Sequence, residues 1–126
     1  MEEQTKVTEN RRALGARAEQ LAEDYLTEQG MRILARNFRN RQGEIDLIGM
    51  HQGYLVFIEV KYRASLRKGN PEEAVGAAKQ KSICRVADYY RCTHGIPLST
   101  PVRYDVVAVL GEEVRWHKNA FPHVYR

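Results

Sequence analysis

The stretch GEIDLIGMHQGYLVFIEVKYR, residues Gly43–Arg63, decides the fold of this 126-residue chain. It contains two apolar runs separated by the turn-forming residues HQG, and this pattern predicts a β-hairpin. The second run, Tyr54–Val60, is apolar on both faces, as is typical of a central strand. Charged residues nevertheless lie among the apolar ones: Glu44, Asp46, Glu59 and Lys61. Because charged side chains are rarely buried without a partner, these four require a specific reason.

The charged residues of the hairpin are expected to gather at one place on the sheet. Side chains alternate between the two faces of a strand, so Glu59 and Lys61 share a face of the second strand. In the first strand, the same rule places Asp46 with Glu44 on one face and Ile45 on the other. Asp46 and Glu59 lie on adjacent strands, and they meet if the register turns both toward the same side.

Two carboxylates and a lysine at one place have two interpretations, a metal-binding catalytic site and an ordinary set of surface ion pairs. Neighbouring carboxylates repel each other unless a cation lies between them, and their oxygens suit Mg²⁺ or Mn²⁺. A lysine in the same pocket can orient or help to deprotonate an attacking water, or stabilise charge that develops on a phosphate. The alternative is a surface hairpin with cross-strand pairs of lysine and carboxylate, which contribute little to stability.

The elements around the hairpin predict an α/β fold. In chain order they are helix Arg11–Gln29, strands Arg32–Phe38, Glu44–Met50 and Tyr54–Tyr62, helix Pro71–Arg91, and strands Val102–Leu110 and Val114–His117. Asn70 is the expected N-cap of the second helix. The crossover from the third strand through that helix to the fourth strand implies a parallel pair, and hence a mixed sheet with helices packed on it. Residues 1–10 are predicted as a flexible tail and residues 11–126 as one domain.

The composition is that of an ordinary globular protein with a slight preference for polyanions. Hydrophobic residues make up 43% of the chain and charged residues 29%, and the net charge is +4, which is a mild bias toward nucleic acid. Four arginines fall within an acid-free stretch of the first strand and the loop after it: Arg32, Arg36, Arg39 and Arg41. Such a stretch either contacts phosphates or forms a solvated strand edge.

The sequence also predicts a cytoplasmic protein that does not contact a membrane. The polar start MEEQTKVTENRR has no signal-peptide core, and the apolar run Tyr54–Ile58 is far shorter than the roughly 20 residues that span a bilayer. Cys84 and Cys92 would lie about 12 Å apart along the predicted second helix, too far for a disulfide. Free thiols fit a reducing compartment.

Two further polar residues have other interpretations. His51 lies at the tip of the predicted hairpin turn and is expected to be exposed to solvent rather than catalytic. Asp105 lies in an apolar strand. It is either a buried acid with its own hydrogen-bond partners or a residue that supports the site through another side chain, and it is not taken as catalytic.

Several motifs together resemble a known family. The combination of GEID, FIEVKYR, GNPEEAVGAAKQK, VRYDVVAV and HKNAF is similar to the YraN family, small bacterial proteins that are grouped with the PD-(D/E)xK nucleases. The resemblance extends from about Ala13 to Phe121. It implies a restriction-endonuclease-like αβββαβ core, most similar to that of archaeal Holliday-junction resolvases. The element order read from the residues agrees with that core and adds one strand at the C-terminal end.

The resemblance also implies roles for individual residues. Asp46 matches the first catalytic acid of the nuclease superfamily, and Glu59 and Lys61 match the acid and the lysine of its ExK motif. Glu19 matches an acidic residue of the first helix, which helps to bind metal in resolvase-like members. Lys79 matches a basic or amide residue that some members place on the helix after the motif.

Together, the residues and the resemblance predict a metal-dependent DNA endonuclease. The predicted catalytic residues are Glu19, Asp46, Glu59 and Lys61, and the three acids among them would hold Mg²⁺ or Mn²⁺. The predicted contacts to the nucleic-acid backbone are Arg39, Arg41, Arg63 and Lys79, while Ser82 stands where the family often has a basic residue. Branched or structured DNA as substrate and a homodimer follow by analogy with the resolvases. The alternative is a non-catalytic nucleic-acid-binding protein, or an accessory protein of DNA processing, that keeps the fold.

Overall fold

Five strands and two helices make up the described part of the chain, which in this computed structural model is the backbone of residues 2–63 and 75–125. Side chains are described from residue 10 onward within these ranges. In chain order the elements are α1 (Glu2–Glu28), β1 (Arg32–Asn40), β2 (Gly43–His51), β3 (Tyr54–Arg63), α2 (Ala77–Thr93), β4 (Val102–Leu110) and β5 (Glu113–His117). The predicted αβββαβ core with one additional strand is confirmed.

The five strands form one mixed sheet in the order β1-β2-β3-β4-β5. The pairs β1–β2, β2–β3 and β4–β5 are antiparallel, whereas β3 and β4 are parallel, with Leu55–Arg63 paired to Val102–Leu110. A parallel pair needs a crossover connection, and α2 lies in it. The predicted parallel pair is therefore confirmed, and β3 is the central strand.

The sheet is buried on both faces, one under each helix. The cluster on the α2 side contains Ile45, Ile48, Leu55, Phe57, Ile83, Val86 and Tyr90. The cluster on the α1 side contains Ala22, Leu26, Leu47, Val56, Ile58 and Val107. Strand β3 contributes alternate residues to the two clusters, which explains why its sequence is apolar without interruption.

Helix α1 begins earlier than the sequence predicts. Its backbone is helical from Glu2, whereas the predicted helix begins at Arg11. The segment EEQTKVTEN contains neither Gly nor Pro and begins with acidic residues, which favour a helix N-terminus through the helix dipole. It carries no apolar stripe, so the periodicity that marks a buried helix does not reveal it.

Helix α2 begins later than predicted. Its N-cap is Gly76, in an extended conformation with φ −74° and ψ 169°, and the helix starts at Ala77. The proposed N-cap Asn70 and the first helical residue Pro71 lie outside the described residues. An uninterrupted helix from Pro71 is nevertheless wrong, because Val75 and Gly76 are not helical. Cys84 and Cys92 both lie on α2 and are free thiols, as expected.

Helix α2 packs closely against the turn between β1 and β2. The Ser82 hydroxyl donates a hydrogen bond of 2.6 Å to the carbonyl oxygen of Gln42. Gly43, the next residue, has φ 151°, and a Cβ atom placed on it would overlap with Ser82 Oγ. The glycine of the GEID motif therefore permits both the backbone conformation and the close approach of the helix.

Replacing Gly43 by alanine should lower the free energy of unfolding by about 1–3 kcal/mol, because the new methyl group must displace the helix or the turn. Urea unfolding measures this loss. Gly15→Ala is the matched control, since Gly15 lies on α1 with open space around it, and this change should be neutral or stabilising by up to about 1 kcal/mol. In a Ser82→Ala background, part of the Gly43→Ala loss should be recovered. An equal loss in both backgrounds would show that the contact with Ser82 is not the cause.

Candidate active site

The pairing of β2 with β3 ends where the carboxylates begin. The ladder extends from His51 opposite Tyr54 to Leu47 opposite Ile58. At the following position, Asp46 Oδ2 accepts a hydrogen bond of 2.8 Å from the backbone N–H of Val60. A side chain thus takes the place of a strand carbonyl as the acceptor for β3, which holds the Asp46 carboxylate in the sheet between the two strands.

Asn37 of β1 lies opposite Asp46 and bends the edge of the sheet. The register that pairs Arg36 with Leu47 places Asn37 across from Asp46, although the two are not a bonded pair of the ladder. Asn37 has φ 50°, in the left-handed region that asparagine tolerates better than most residues. Its side chain lies close enough to the Glu19 carboxylate of α1 to lower the pKa of that carboxyl group.

This bend reverses the alternation of side chains on both strands. Ala35 and Phe38 of β1 both pack on the α2 side of the sheet, as do Ile45 and Ile48 of β2. Leu47 packs on the α1 side. Strict alternation along β2 would place Ile45 and Ile48 on opposite faces, so the alternation used in the prediction is wrong for this part of the strand.

Glu59 is the most buried carboxylate of the predicted site. It is 8% exposed and lies on β3, with Lys61 Nζ 3.8 Å and Lys79 Nζ 3.6 Å from its Oε1 atom. Burial raises the pKa of Glu59 to about 7, and the negative charge of Asp46 adds to this rise while the two lysines oppose it. A carboxyl group with a pKa of about 7 can both bind and release a proton at physiological pH.

Asp46 interacts electrostatically with Glu19 of α1 and with Lys79 of α2. Burial raises its pKa above the ordinary value, against the hydrogen bond from Val60 and the positive charge of Lys79. Glu19 also has a raised pKa, first through burial and then through the charge of Asp46, while the Asn37 side chain opposes this rise. Asp46 therefore lies close enough to α1 and to α2 to couple electrostatically with a residue of each.

Glu44 adds negative charge to the same region. Its carboxylate raises the pKa values of Asp46 and Glu19, and it lies 3.5 Å from the exposed guanidinium of Arg39. The structure thus brings together five of the predicted residues, which we call the carboxylate–lysine cluster: Glu19, Asp46, Glu59, Lys61 and Lys79. Asn37 belongs beside them. Sequence reasoning missed it, although an asparagine inside a strand is a signal of an irregular position.

The predicted nucleic-acid-binding arginines are not gathered into the cluster. Arg39 lies beside Glu44 at the edge of the sheet, and Arg41 lies at the β1–β2 turn, where it lines a separate cavity. Arg63, at the end of β3, donates a hydrogen bond of 3.0 Å to the carbonyl oxygen of Tyr62. Of these four residues, which were predicted to contact the nucleic-acid backbone, only Lys79 contacts a carboxylate of the carboxylate–lysine cluster.

The donors of the cluster fit a hard divalent cation held by few protein ligands. Mg²⁺ commonly binds one or two carboxylates and keeps several waters, and Asp46 with Glu59 provides such a pair of oxygen donors at a place where burial raises the pKa of both carboxyl groups. Within residues 10–63 and 75–125, no three side chains of His, Cys, Asp or Glu are arranged to hold a metal ion. Glu19, Asp46 and Glu59 together therefore do not form a preformed cage.

A separate buried network lies around Asp105. Its carboxylate accepts hydrogen bonds from Arg103 Nε and Nη2 at 2.9 and 2.8 Å, from Trp116 Nε1 at 2.8 Å and from the N–H of Asn119 at 2.9 Å. His51 Nδ1 lies 3.2 Å from Arg103 Nη2. His51 is only 4% exposed, so the expected solvent-exposed histidine is wrong. Asp105 is a buried acid with its own partners, one of the two interpretations left open.

The fold and the cluster define a class of protein: a small α/β protein with a restriction-endonuclease-like αβββαβ core and an Asp, Glu-x-Lys set on its central hairpin. The family described as "Uncharacterised protein family UPF0102" matches residues 18–109. The chain belongs to this family, which is the YraN family of the predicted resemblance.

Bacterial relatives cover most of the chain. A UPF0102 protein of Lachnoclostridium phytofermentans is 52% identical over 112 residues, which cover 89% of this chain and 95% of the relative. One of Syntrophotalea carbinolica is 45% identical, over 82% of this chain and 83% of the relative. One of Symbiobacterium thermophilum is 50% identical, over 78% of this chain and 82% of the relative. Among the described residues, no helix is long and apolar enough to cross a membrane.

Proposed function

We propose that this protein is a metal-dependent DNA endonuclease that hydrolyses phosphodiester bonds. The observation that carries the proposal is Glu59, which is almost fully buried beside a second carboxylate, Asp46, with two lysine ammonium groups within 4 Å of one of its oxygens. Burying like charges together is costly, and a purely structural pair would be replaced by apolar residues at no loss of stability. Such clusters of perturbed carboxylates are typical of catalytic sites.

The residues of the cluster divide the chemistry between them. Asp46 and Glu59 would hold Mg²⁺ or Mn²⁺, with Glu19 as a further candidate ligand, and the cation would acidify a water and offset charge on the phosphate. Lys61, held beside Glu59, would orient the attacking water or stabilise the charge that develops on the phosphate. Lys79 lies at the opening of the cluster on α2, where its half-exposed ammonium group can contact the backbone of the nucleic acid.

The substrate class and assembly follow from the fold by analogy. Branched or otherwise structured DNA is the proposed substrate and a homodimer the proposed assembly, because resolvases of this fold cut symmetric substrates as dimers. A non-catalytic nucleic-acid-binding protein is the second candidate. The carboxylates argue against it, since a binder gains nothing from acids that face phosphate.

Cleavage of linear, flapped and four-way DNA in Mg²⁺ or Mn²⁺ tests the proposal. We expect metal-stimulated cleavage by the wild type, and a loss of about 100-fold or more for Glu59→Ala and for Lys61→Ala, because each removes charge placed at the reacting phosphate. Lys81→Ala is the matched control, since Lys81 is an exposed lysine of the same helix as Lys79. Activity that survives in Glu59→Ala and Lys61→Ala would refute the site assignment. DNA binding without cleavage of any substrate would favour the second candidate.

A further inference from the structure

A cavity separate from the carboxylate–lysine cluster lies between the β1–β2 turn and helix α2. Its volume is about 310 Å³, and it is lined by Asn40, Arg41, Gln42 and Tyr89. Gln42 precedes Asp46 by four residues, which span at most about 13 Å when the chain is extended. The cavity is thus within reach of the same nucleic-acid strand, at a distance of no more than about four nucleotide steps of B-form DNA.

The walls of this cavity are held in place before any ligand binds. Asn40 Oδ1 accepts a hydrogen bond of 2.8 Å from the N–H of Gln42, and Ser82 holds the carbonyl oxygen of Gln42 from the other side at 2.6 Å. The turn is therefore fixed at its own base and against α2. Because its backbone is fixed, the turn presents the side chains of Arg41 and Gln42 without a large loss of conformational entropy on binding.

Tyr89 provides an aromatic surface on the opposite wall. Its side chain is 49% exposed, although an aromatic ring of this size is usually more deeply buried. The ring of Phe38 lies behind it, with the ring centroids 6.2 Å apart and the planes inclined by 33°. The Tyr89 ring therefore packs against Phe38 on one side, and part of the Tyr89 ring remains open to the cavity. This is the arrangement needed for stacking a flat ligand.

The charges around the cavity select an anionic ligand. Of the arginines near the β1–β2 turn, Arg36 is bound to Glu23 by two hydrogen bonds and Arg39 lies beside Glu44. Arg41 forms no ion pair with any residue in the described ranges, and none of the four lining residues is acidic. A guanidinium, two side-chain amides and an aromatic ring together match a phosphate, the hydrogen-bonding edge of a base and the face of that base.

We infer that this cavity binds one unpaired nucleotide of the nucleic-acid substrate, with its base on Tyr89 and its phosphate at Arg41. The inference rests on the proposed function, since it gives a second contact to the strand that the carboxylate–lysine cluster would cut. A base in a duplex is stacked and paired, and it cannot enter such a cavity without unpairing. The protein should therefore prefer DNA with unpaired nucleotides close to the cleavage position over an intact duplex.

Binding without metal tests this inference separately from catalysis. The probe is a dye-labelled single-stranded oligonucleotide, compared with the duplex of the same sequence, and fluorescence anisotropy is measured in the presence of a chelator. Tyr89→Ala should weaken single-strand binding by about 5- to 150-fold, the effect of losing one stacked base, and change duplex binding by less than about twofold. Tyr89→Trp should retain the affinity. Arg41→Ala should weaken binding and reduce the salt dependence of single-strand affinity by about 0.7 in the logarithmic slope.

Arg85→Ala is the matched control for charge, because Arg85 is exposed on α2 and does not line the cavity. It should leave the preference for single strands unchanged, and circular dichroism checks that each variant folds. Equal weakening of single-strand and duplex binding in Tyr89→Ala, or no weakening, would overturn the inference. Tyr89-dependent binding by a wild type that cleaves no DNA in any metal would support the inference and refute the endonuclease. Metal-stimulated cleavage with the same substrate preference in the wild type and in Tyr89→Ala would refute the inference and support the endonuclease.

Discussion

Replacing Asp105 by alanine should lower the free energy of unfolding by about 3–5 kcal/mol, the loss expected when one partner of a buried ion pair is removed. Asp105 is 1% exposed. Its carboxylate is the common acceptor for the Arg103 guanidinium, the Trp116 indole and the Asn119 backbone. In the alanine variant, four N–H donors lose their acceptor inside the protein and Arg103 keeps a buried charge without compensation.

Urea unfolding of two further variants separates the ion pair from packing. Asp88→Ala is the matched control, because Asp88 also pairs with an arginine, Arg91, but is 55% exposed; its loss should be within about 1 kcal/mol. Replacing both Arg103 and Asp105 by apolar residues of similar size should recover much of the loss, since neither charge is then left alone. A loss below about 1 kcal/mol in Asp105→Ala would contradict a stabilising role of this network.

The architecture could be predicted from the sequence because its signals are local. The run VRYDVVAVL lies between Pro101 and Gly111, so that turn residues mark both ends of β4, and the predicted bounds Val102–Leu110 are those observed. The central position of β3 followed from its apolar residues on both faces. The meeting of Asp46, Glu59 and Lys61 also followed, since a short hairpin leaves few registers that bury its apolar face.

The remaining features depend on contacts that are distant in sequence. The left-handed conformation of Asn37 is set against Asp46 of the neighbouring strand and Glu19 of α1, and nothing within β1 specifies it. His51 looked exposed because a hairpin tip is usually solvated, yet it is covered by Trp116, with the ring centroids 4.9 Å apart. The contact of Ser82 with Gln42 likewise joins residues that are 40 positions apart. For Asn37 and His51 a tertiary contact overrides the local preference, and the contact of Ser82 with Gln42 has no local signal in the sequence.

Replacing Glu59 by glutamine should strongly reduce the proposed DNA cleavage and at the same time stabilise the protein at alkaline pH in the absence of metal. The pKa of Glu59 is raised from 4.5 to about 7 in the folded protein. Between these two values the folded state binds more protons than the unfolded state, so the contribution of Glu59 to stability falls as the pH rises and is fully lost above about pH 7. Glutamine keeps the shape of the protonated acid and removes this pH dependence.

We therefore expect Glu59→Gln to match the wild type at about pH 5 and to exceed it by about 1–3 kcal/mol at about pH 8, as measured by urea unfolding with a chelator present. Metal-stimulated cleavage should fall by about 100-fold or more in the same variant. Glu113→Gln is the control, because Glu113 is 62% exposed; it should change stability by less than about 0.5 kcal/mol at both pH values. A variant that is less stable than the wild type at about pH 8 would show that the lysines compensate the buried charge of Glu59 fully. Such a result would remove the main reason for regarding Glu59 as a residue kept for function at the expense of stability.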